Sequence, residues 1–474
     1  MQTKSFSSSF LNYALGIFLS RGISFILVPI YISYIDVEDF GVLELSVQAI
    51  NFIVLLGAFE ILQGLTRFYY DKNSNQDLIT STAFYFALSM HLFIAFFLFF
   101  FAQFFSNLLF DTLEYVNIVR ILSVTSVFAF LNGFTSSTLI VQRRAKEFSF
   151  GNIIYAAVSS ISSIIFVTQI GLGLQGILFG LFCGYFFASM VNLFFLKSML
   201  KLQFSVDYLK QMIAFSLPLL ISSFSVFLNL YFDRVIISKF LDFQQLGIYS
   251  MGYKVALLAG IIFSIFKRTT TPYIYENYNK EFFKISLNNI LKGYFTVACT
   301  LILGSYMFSG EIIYLISDSR FSPAIVLVPL FVTSFSLSGA IIFFPGFGIA
   351  RKTNLIAIIT VCTCIINIGF NILLIQEYGV IGSIYASLLS NLFLLTSHIL
   401  FSKKYFTTEY DVKTIKAGLL LIGSLCLAYL ISETSYTSSI KIFLNLLVLI
   451  TFSSVLLLIQ FTMDEIKKTY RKVF

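Results

Sequence analysis

Charge is scarce in this chain. Only 11% of its 474 residues are Asp, Glu, Lys or Arg, where a water-soluble protein carries roughly 25%. That is too little charge to coat a water-facing surface, which excludes an ordinary soluble enzyme or binding domain. Histidine is also sparse. His91 and His398 have no Cys, Asp or Glu at ligand spacing, so neither reads as part of a metal site. The five cysteines (Cys183, Cys299, Cys362, Cys364 and Cys426) all lie in apolar stretches. They form no zinc spacing and no extracellular disulfide framework, and read as small buried hydrophobes. A P-loop with its Lys, a GxSxG elbow and an HExxH helix are missing as well. GFGIARK at 346–352 is glycine-rich but follows no strand, so it is not read as a nucleotide site. No cofactor is expected, and an ATP-driven pump would need a nucleotide domain that this sequence does not contain.

What the chain has in abundance is apolar residues: 58% of them, including 58 Phe and 26 Tyr. Its long apolar runs make lipid the solvent. A span needs about 20 residues to cross about 30 Å of hydrocarbon. The pattern predicts an all-α polytopic membrane protein with about fourteen spans, near 11–34, 42–65, 80–106, 116–139, 151–171, 174–196, 213–237, 247–266, 293–315, 323–349, 354–375, 380–400, 416–431 and 438–461. The first is expected to be a retained helix and not a cleaved leader. The net charge of +8 collects in alternate loops, for example Arg143, Arg144 and Lys146, Lys197 and Lys201, and Arg351 and Lys352. The intervening loops carry Asp36, Glu38, Asp39, Asp111, Glu114, Asp242 and Asp318. This bias predicts an even number of spans with both termini cytoplasmic, and it explains the basic balance without nucleic acid. No loop is long enough for a soluble catalytic domain. The longest, about 267–292, is basic and aromatic and is expected to hold a short interfacial helix.

The chain also repeats itself. IDVEDFG at 35–41 recurs as LDFQQLG at 241–247, an offset of 206. At that offset Gly173 falls on Gly379, Gly176 on Gly382, Lys4 on Lys210 and Lys146 on Lys352. The predicted unit is six helices: one lobe over 1–200, a second over 207–402, and two further helices with a tail over 411–474. An even unit makes parallel repeats. Two such lobes suggest alternating access to a central cavity, although duplication can also simply build a larger bundle.

Ionisable residues inside spans are costly and point to function. Arg21 lies mid-way along the first span, as a cavity-lining cation, an ion-pair partner or a support for backbone carbonyls. Arg234 lies deep in the seventh span. Two such guanidinium groups facing one cleft would attract a diphosphate bidentately. Asp233 is either a structural ion-pair partner or the carrier of a coupling proton or sodium ion. Lys254 either snorkels or makes a third cationic contact. Glu60 and Arg67, seven apart on the second span, are expected on one face, with Arg67 meeting substrate phosphate or anchoring the helix end. Pro29 and Pro218 lie in the first helices of the two lobes, where each permits a kink and serves as a hinge candidate.

With these residues assembled, the chain resembles the polysaccharide-lipid flippases, often described as polysaccharide biosynthesis or O-antigen transporter proteins. They sit in the wider superfamily that includes the multidrug and toxin extrusion transporters. The resemblance runs over essentially the whole chain. It is carried by SRGISFILVPIYISYIDVEDFGVLE at 20–44, GLTRFYYD at 64–71, VQRRAKEF at 141–148, LNLYFDRVIISKFLDFQQLGIYS at 228–250 and GVIGSIYASLLSN at 379–391. It implies two six-helix bundles around a cavity plus two C-terminal helices in a bacterial inner membrane. It also implies movement of an undecaprenyl-diphosphate-linked oligosaccharide to the outer leaflet, with a polymerase and glycosyltransferases as partners. Arg21, Arg67 and Arg234 match the family's basic positions. Rival readings are a drug–cation exporter, which favours acidic groups in its cavity, a membrane scaffold for polymer assembly, and a membrane glycosyltransferase, for which the outer loops are short.

Overall fold

The computed structural model describes residues 25, 27–70, 75–406, 420, 423–430 and 438–460. Among the described residues twelve helices are long and apolar enough to cross a membrane. They correspond to twelve of the fourteen expected spans. The other two, 11–34 and 416–431, are described only in part, and Arg21 lies outside the described residues. The chain divides into two compact units, Met1–Gly247 and Ile248–Phe474.

The first unit runs α1 (Val28–Ile32), α2 (Val37–Ala58), α3 (Ile61–Tyr69), α4 (Gln76–Phe100), α5 (Ala102–Phe110), α6 (Val116–Val141), α7 (Ala145–Thr168), α8 (Gly173–Leu196) and α9 (Val206–Phe240). The next helix, α10 (Phe243–Asn277), begins in it and continues into the second unit. Starts are set by capping side chains. Asp36 accepts from the Asp39 amide at 2.8 Å, Asn75 from Leu78 at 3.1 Å and Ser205 from Tyr208 at 3.3 Å. The core is apolar and small-residue-rich. Ile61, Leu65, Ala83, Ala87, Phe130 and Phe134 are buried together. Gly180 and Gly184 of α8 let that helix lie against Ser163 and Ser159 of α7, where added Cβ atoms would collide.

The expected second span, 42–65, is not one helix. Phe59 and Glu60 both have left-handed backbone, with φ of 47° and 52°. They end α2 and restart the chain as α3. Neither is glycine, so the break is strained. It also removes the basis for placing Glu60 and Arg67 on one face, since Glu60 precedes the helix that carries Arg67.

The second unit holds most of α10, then α11 (Phe283–Ile316), a 3-10 segment Ser319–Val326, α12 (Leu327–Ala340), a 3-10 turn Ile341–Phe343, one helical turn Gly346–Ile349, α13 (Thr353–Tyr378), α14 (Val380–Ser402) and α15 (Ser438–Gln460). The expected interfacial helix within 267–292 is replaced by extensions of α10 and α11, 35 and 34 residues long. At 1.5 Å per residue each spans ~50 Å, well beyond the hydrocarbon. Cys299, Leu303 and Met307 of α11 pack with Phe452 and Leu456 of α15. Polar contacts tie α13 to α14: Asn371 accepts from Ser383 at 2.7 Å, and Asn367 donates to Ser390 at 3.2 Å.

Local geometry recurs between the sequence copies. Asp242 caps α10 by accepting from the Gln245 amide at 2.6 Å, as Asp36 caps α2. Arg143 and Arg351 are both left-handed, with φ of 60° and 56°. The residues after them, Arg144 and Lys352, share a similar non-helical backbone, with φ and ψ of -91° and 66° and of -88° and 55°, and start α7 and α13. By geometry Lys352 therefore corresponds to Arg144, and not to Lys146 as the constant offset suggests.

Candidate functional site

Among the described residues of the first unit, the most deeply buried charges sit near the C-terminal end of α9. Asp233 and Arg234 are 5% and 1% exposed. Adjacent residues on a helix diverge by about 100°, yet the guanidinium folds back. Arg234 Nη1 donates to Asp233 Oδ1 at 3.0 Å and to the Leu230 carbonyl at 3.1 Å. Asp233 Oδ1 also accepts from the Arg234 amide at 2.8 Å. The pair neutralises two charges that burial would otherwise penalise by several kcal/mol each. The sequence leaves Asp233 facing a neighbouring helix or an ion; in the fold its carboxylate holds Arg234.

An aromatic face leads to this pair. Phe224, Phe227, Tyr231 and Arg234 follow one another at spacings of three and four along α9, which places them on one side. Phe52 of α2 meets Phe224 and Phe227, with ring centroids 5.9 and 5.4 Å apart. Phe227 lies 5.0 Å from Tyr231, and the Arg234 guanidinium stands 5.4 Å from the Tyr231 ring. This is a cation–π arrangement. Aromatic faces suit sugar rings, and a guanidinium suits a phosphate.

The other expected residues lie on several different elements. Arg67 is exposed in the last turn of α3, with its guanidinium 5.7 Å from the Phe68 ring. Glu60 is half-buried at the break between α2 and α3. Lys254 is half-buried on α10, in the second unit. Pro29 opens α1 in its first turn, where no amide donor is needed. Pro218 sits inside α9, which runs through it unbroken. The proline removes the donor for the residue 214 carbonyl and weakens the helix locally.

The sequence sets His91 aside as a metal ligand but does not show what it packs against. It is fully buried on α4, stacked on Phe130 with centroids 3.9 Å apart and planes 14° apart. Its Nδ1 lies 2.8 Å from the Ala87 carbonyl. A Cβ on Gly57 would lie 2.7 Å from the imidazole, just before the α2 break. Chemistry of this kind has no sequence signature, because the glycine and the histidine are 34 residues apart. Among the described residues no group of His, Cys, Asp and Glu could hold a metal ion.

Charge separates along the first unit. One end carries Asp36, Glu38, Asp39 and Glu114 around Tyr115, whose hydroxyl is pushed up to about 12 by burial and by those carboxylates. Nearby, Lys239 pairs with Asp111 at 2.7 Å. The Arg143–Arg144 turn and Lys201 belong to a basic set, with Arg144 paired to Glu147 at 3.1 Å and Lys201 to Asp77 at 2.5 Å.

The family described as polysaccharide biosynthesis protein matches residues 34–326. No curated protein matches the chain. Among solved structures the fold is shared with the lipid II flippase MurJ in an inward closed conformation, at TM-score 0.71 and 17% identity, covering 94% of this chain and 98% of that one. It is shared too with a multidrug resistance MATE family transporter of the MOP superfamily in an inward-facing conformation, at TM-score 0.69 and 14% identity, covering 84% and 98%. A MOP superfamily transporter from Pyrococcus furiosus, described by the reverse polarity of its binding pocket, follows at TM-score 0.56 and 14% identity, covering 85% and 97%.

Proposed function

Because the chain belongs to the polysaccharide biosynthesis protein family, we propose that it is a membrane transporter and not an enzyme. Its cargo is a lipid-diphosphate-linked oligosaccharide, an undecaprenyl-diphosphate-linked O-antigen or capsule repeat unit. It moves this cargo from the cytoplasmic to the outer leaflet of a bacterial inner membrane by alternating access, with both termini cytoplasmic. The proposed working units are the lobes 1–200 and 207–402, with 411–474 appended.

The observation that carries this reading is the buried Arg234 at the end of an aromatic face. A charged head is hard to carry through hydrocarbon. A guanidinium removes part of that penalty by bidentate pairing with a phosphate. Asp233 holds Nη1 of the guanidinium when no headgroup is bound. An arriving diphosphate displaces the carboxylate, and protonation or sodium binding at Asp233 favours the exchange. Arg21, Arg67 and Lys254 supply further cationic contacts, and Glu60 is a second coupling candidate. Pro29 and Pro218 serve as hinges. The prenyl tail stays in lipid, and no covalent bond changes.

The fold shared with a multidrug transporter favours a second reading, export of a cationic drug. A scaffold for polymer assembly is the reading that involves no transport. Reconstituting the full chain in vesicles tests all three. A fluorescent undecaprenyl-diphosphate oligosaccharide, supplied under proton and sodium gradients, is expected to lose its leaflet asymmetry, while a cationic dye is not exported. Dye export without lipid movement would establish the second reading, and neither activity in a folded protein would establish the third.

A further inference from the structure

Arginine occupies a backbone position that favours glycine at the end of α6. Arg143 is left-handed with φ of 60°. Its amide donates to the Ile140 carbonyl and that of Arg144 to the Leu139 carbonyl, both at 2.9 Å. These two bonds close the helix in a Schellman motif, whose left-handed residue is usually glycine. The motif recurs at Arg351, where the Arg351 amide donates to Gly348 at 3.1 Å and the Lys352 amide to Phe347 at 2.8 Å. A strained residue kept where glycine fits better points to a role for its side chain.

In the first unit that side chain borders an open pocket of about 600 Å³. Its polar lining is Tyr69, Tyr70, Gln76, Gln142, Arg143 and Arg144. The pocket is braced from behind. Tyr70 donates to the Val141 carbonyl, and Gln76 donates to the Tyr69 carbonyl at 3.4 Å. Arg144 is fixed through Nε to Glu147 at 3.1 Å and through Nη1 to the Phe195 carbonyl at 2.9 Å. Those bonds leave the Nη2 donors of a five-donor fork for another partner. Its volume lies within the range of small-molecule pockets. Arg143 itself is exposed at its rim.

We propose that this pocket is a binding site for a phosphate headgroup, with Arg143 as the mobile cation and Arg144 as the fixed one. The site stands on its own geometry and does not depend on the flippase reading. Arg143 is exposed and lines the pocket, where a phosphate ester can reach its guanidinium. The phosphate can come from an anionic phospholipid or from a soluble phosphate or diphosphate.

Arg143→Gly separates site from fold, since glycine relieves the turn while deleting the charge. The purified full chain would be assayed by native mass spectrometry for retention of phosphatidylglycerol against phosphatidylcholine. Binding of inorganic pyrophosphate would be measured in parallel. The wild type is expected to retain the anionic lipid, to bind pyrophosphate, or both. Arg143→Gly is expected to weaken whichever binding is seen by about tenfold, the size of one charge-assisted contact, with a melting temperature no lower than wild type. Lipid retention that pyrophosphate does not displace identifies a lipid source, and binding of pyrophosphate alone identifies a soluble one. If Arg143→Gly melts lower, Arg143→Lys against Arg143→Met reads the same charge, with binding kept only by Lys. Binding of neither probe by wild type, or equal binding by the charge-deleted variants, would overturn the proposal.

Discussion

Gly41 and Gly247 pack reciprocally. A Cβ on Gly41 would lie 2.0 Å from the Phe243 carbonyl oxygen, and a Cβ on Gly247 would lie 2.1 Å from that of Val37. The two glycines belong to the duplicated IDVEDFG and LDFQQLG segments. The first turns of α2 and α10 therefore cross backbone to backbone, which only glycine permits. Gly41→Ala and Gly247→Ala are each expected to destabilise the protein by about 1–3 kcal/mol through overpacking. Gly133 of α6 has open space around its Cβ position, so Gly133→Ala is expected to stabilise by about 0.5–1 kcal/mol. Thermal unfolding of the three variants in detergent checks the contrast.

The imidazole of His91 fills the space that Gly57 leaves. Gly57→Ala is expected to lower the melting temperature, since the added methyl meets a ring already pressed on Phe130. His91→Ala costs about 2–4 kcal/mol by leaving a cavity. The double variant Gly57→Ala with His91→Ala is expected to recover part of the loss from Gly57→Ala, read as a non-additive cycle. Strict additivity would show that the two residues do not meet.

Asp233 and Arg234 stand or fall together. Asp233→Ala leaves a buried guanidinium without its carboxylate and is expected to cost about 3–5 kcal/mol. Asp233→Leu with Arg234→Leu removes both charges and is expected to express and melt better than Asp233→Ala alone. Expression yield and melting temperature of the two proteins measure this directly.

A surface pair gives a pH signature. The Arg320 side chain, donating to Asp318 at 2.7 Å, holds that carboxyl below the usual carboxylate range. A depressed folded-state value means the stabilisation is present above the ordinary carboxylate range and is lost as pH falls through the folded value. Both side chains are well exposed, so the contribution stays below about 1 kcal/mol. Asp318→Asn is expected to lower the melting temperature slightly at neutral pH and not at all in strong acid, and high salt should shrink the difference.

Much of the fold is legible because lipid imposes long apolar runs, but the caps at Asp36 and Asp242 start their helices ahead of the expected 42 and 247, since hydropathy does not register a side-chain cap. The break at Phe59–Glu60 is not legible. No proline or glycine occupies it, and its strain is held by tertiary packing around Gly57 and Gly64, which admit His91 and Met212. The lengths of α10 and α11 were hidden because their polar ends look like a loop when only hydropathy is read. At the site, Asp233 and Arg234 stand out by charge alone. Their mutual bond does not, since neighbouring positions on a helix point apart until a long side chain folds back. Arg143 reads as one more basic loop residue; only its backbone conformation singles it out.

The central claim is that a buried cation on α9 receives the diphosphate of a lipid-linked sugar. The direct measurement is the flipping rate of a fluorescent undecaprenyl-diphosphate oligosaccharide in proteoliposomes at matched incorporation, for wild type, Arg234→Ala, Arg234→Lys and Arg21→Ala. Loss of one bidentate phosphate contact is expected to slow flipping by roughly tenfold or more in Arg234→Ala. Arg234→Lys is expected to fall between, as a point charge that cannot pair bidentately, and Arg21→Ala is expected to follow Arg234→Ala. Equal flipping by wild type and Arg234→Ala, both folded, would contradict the claim.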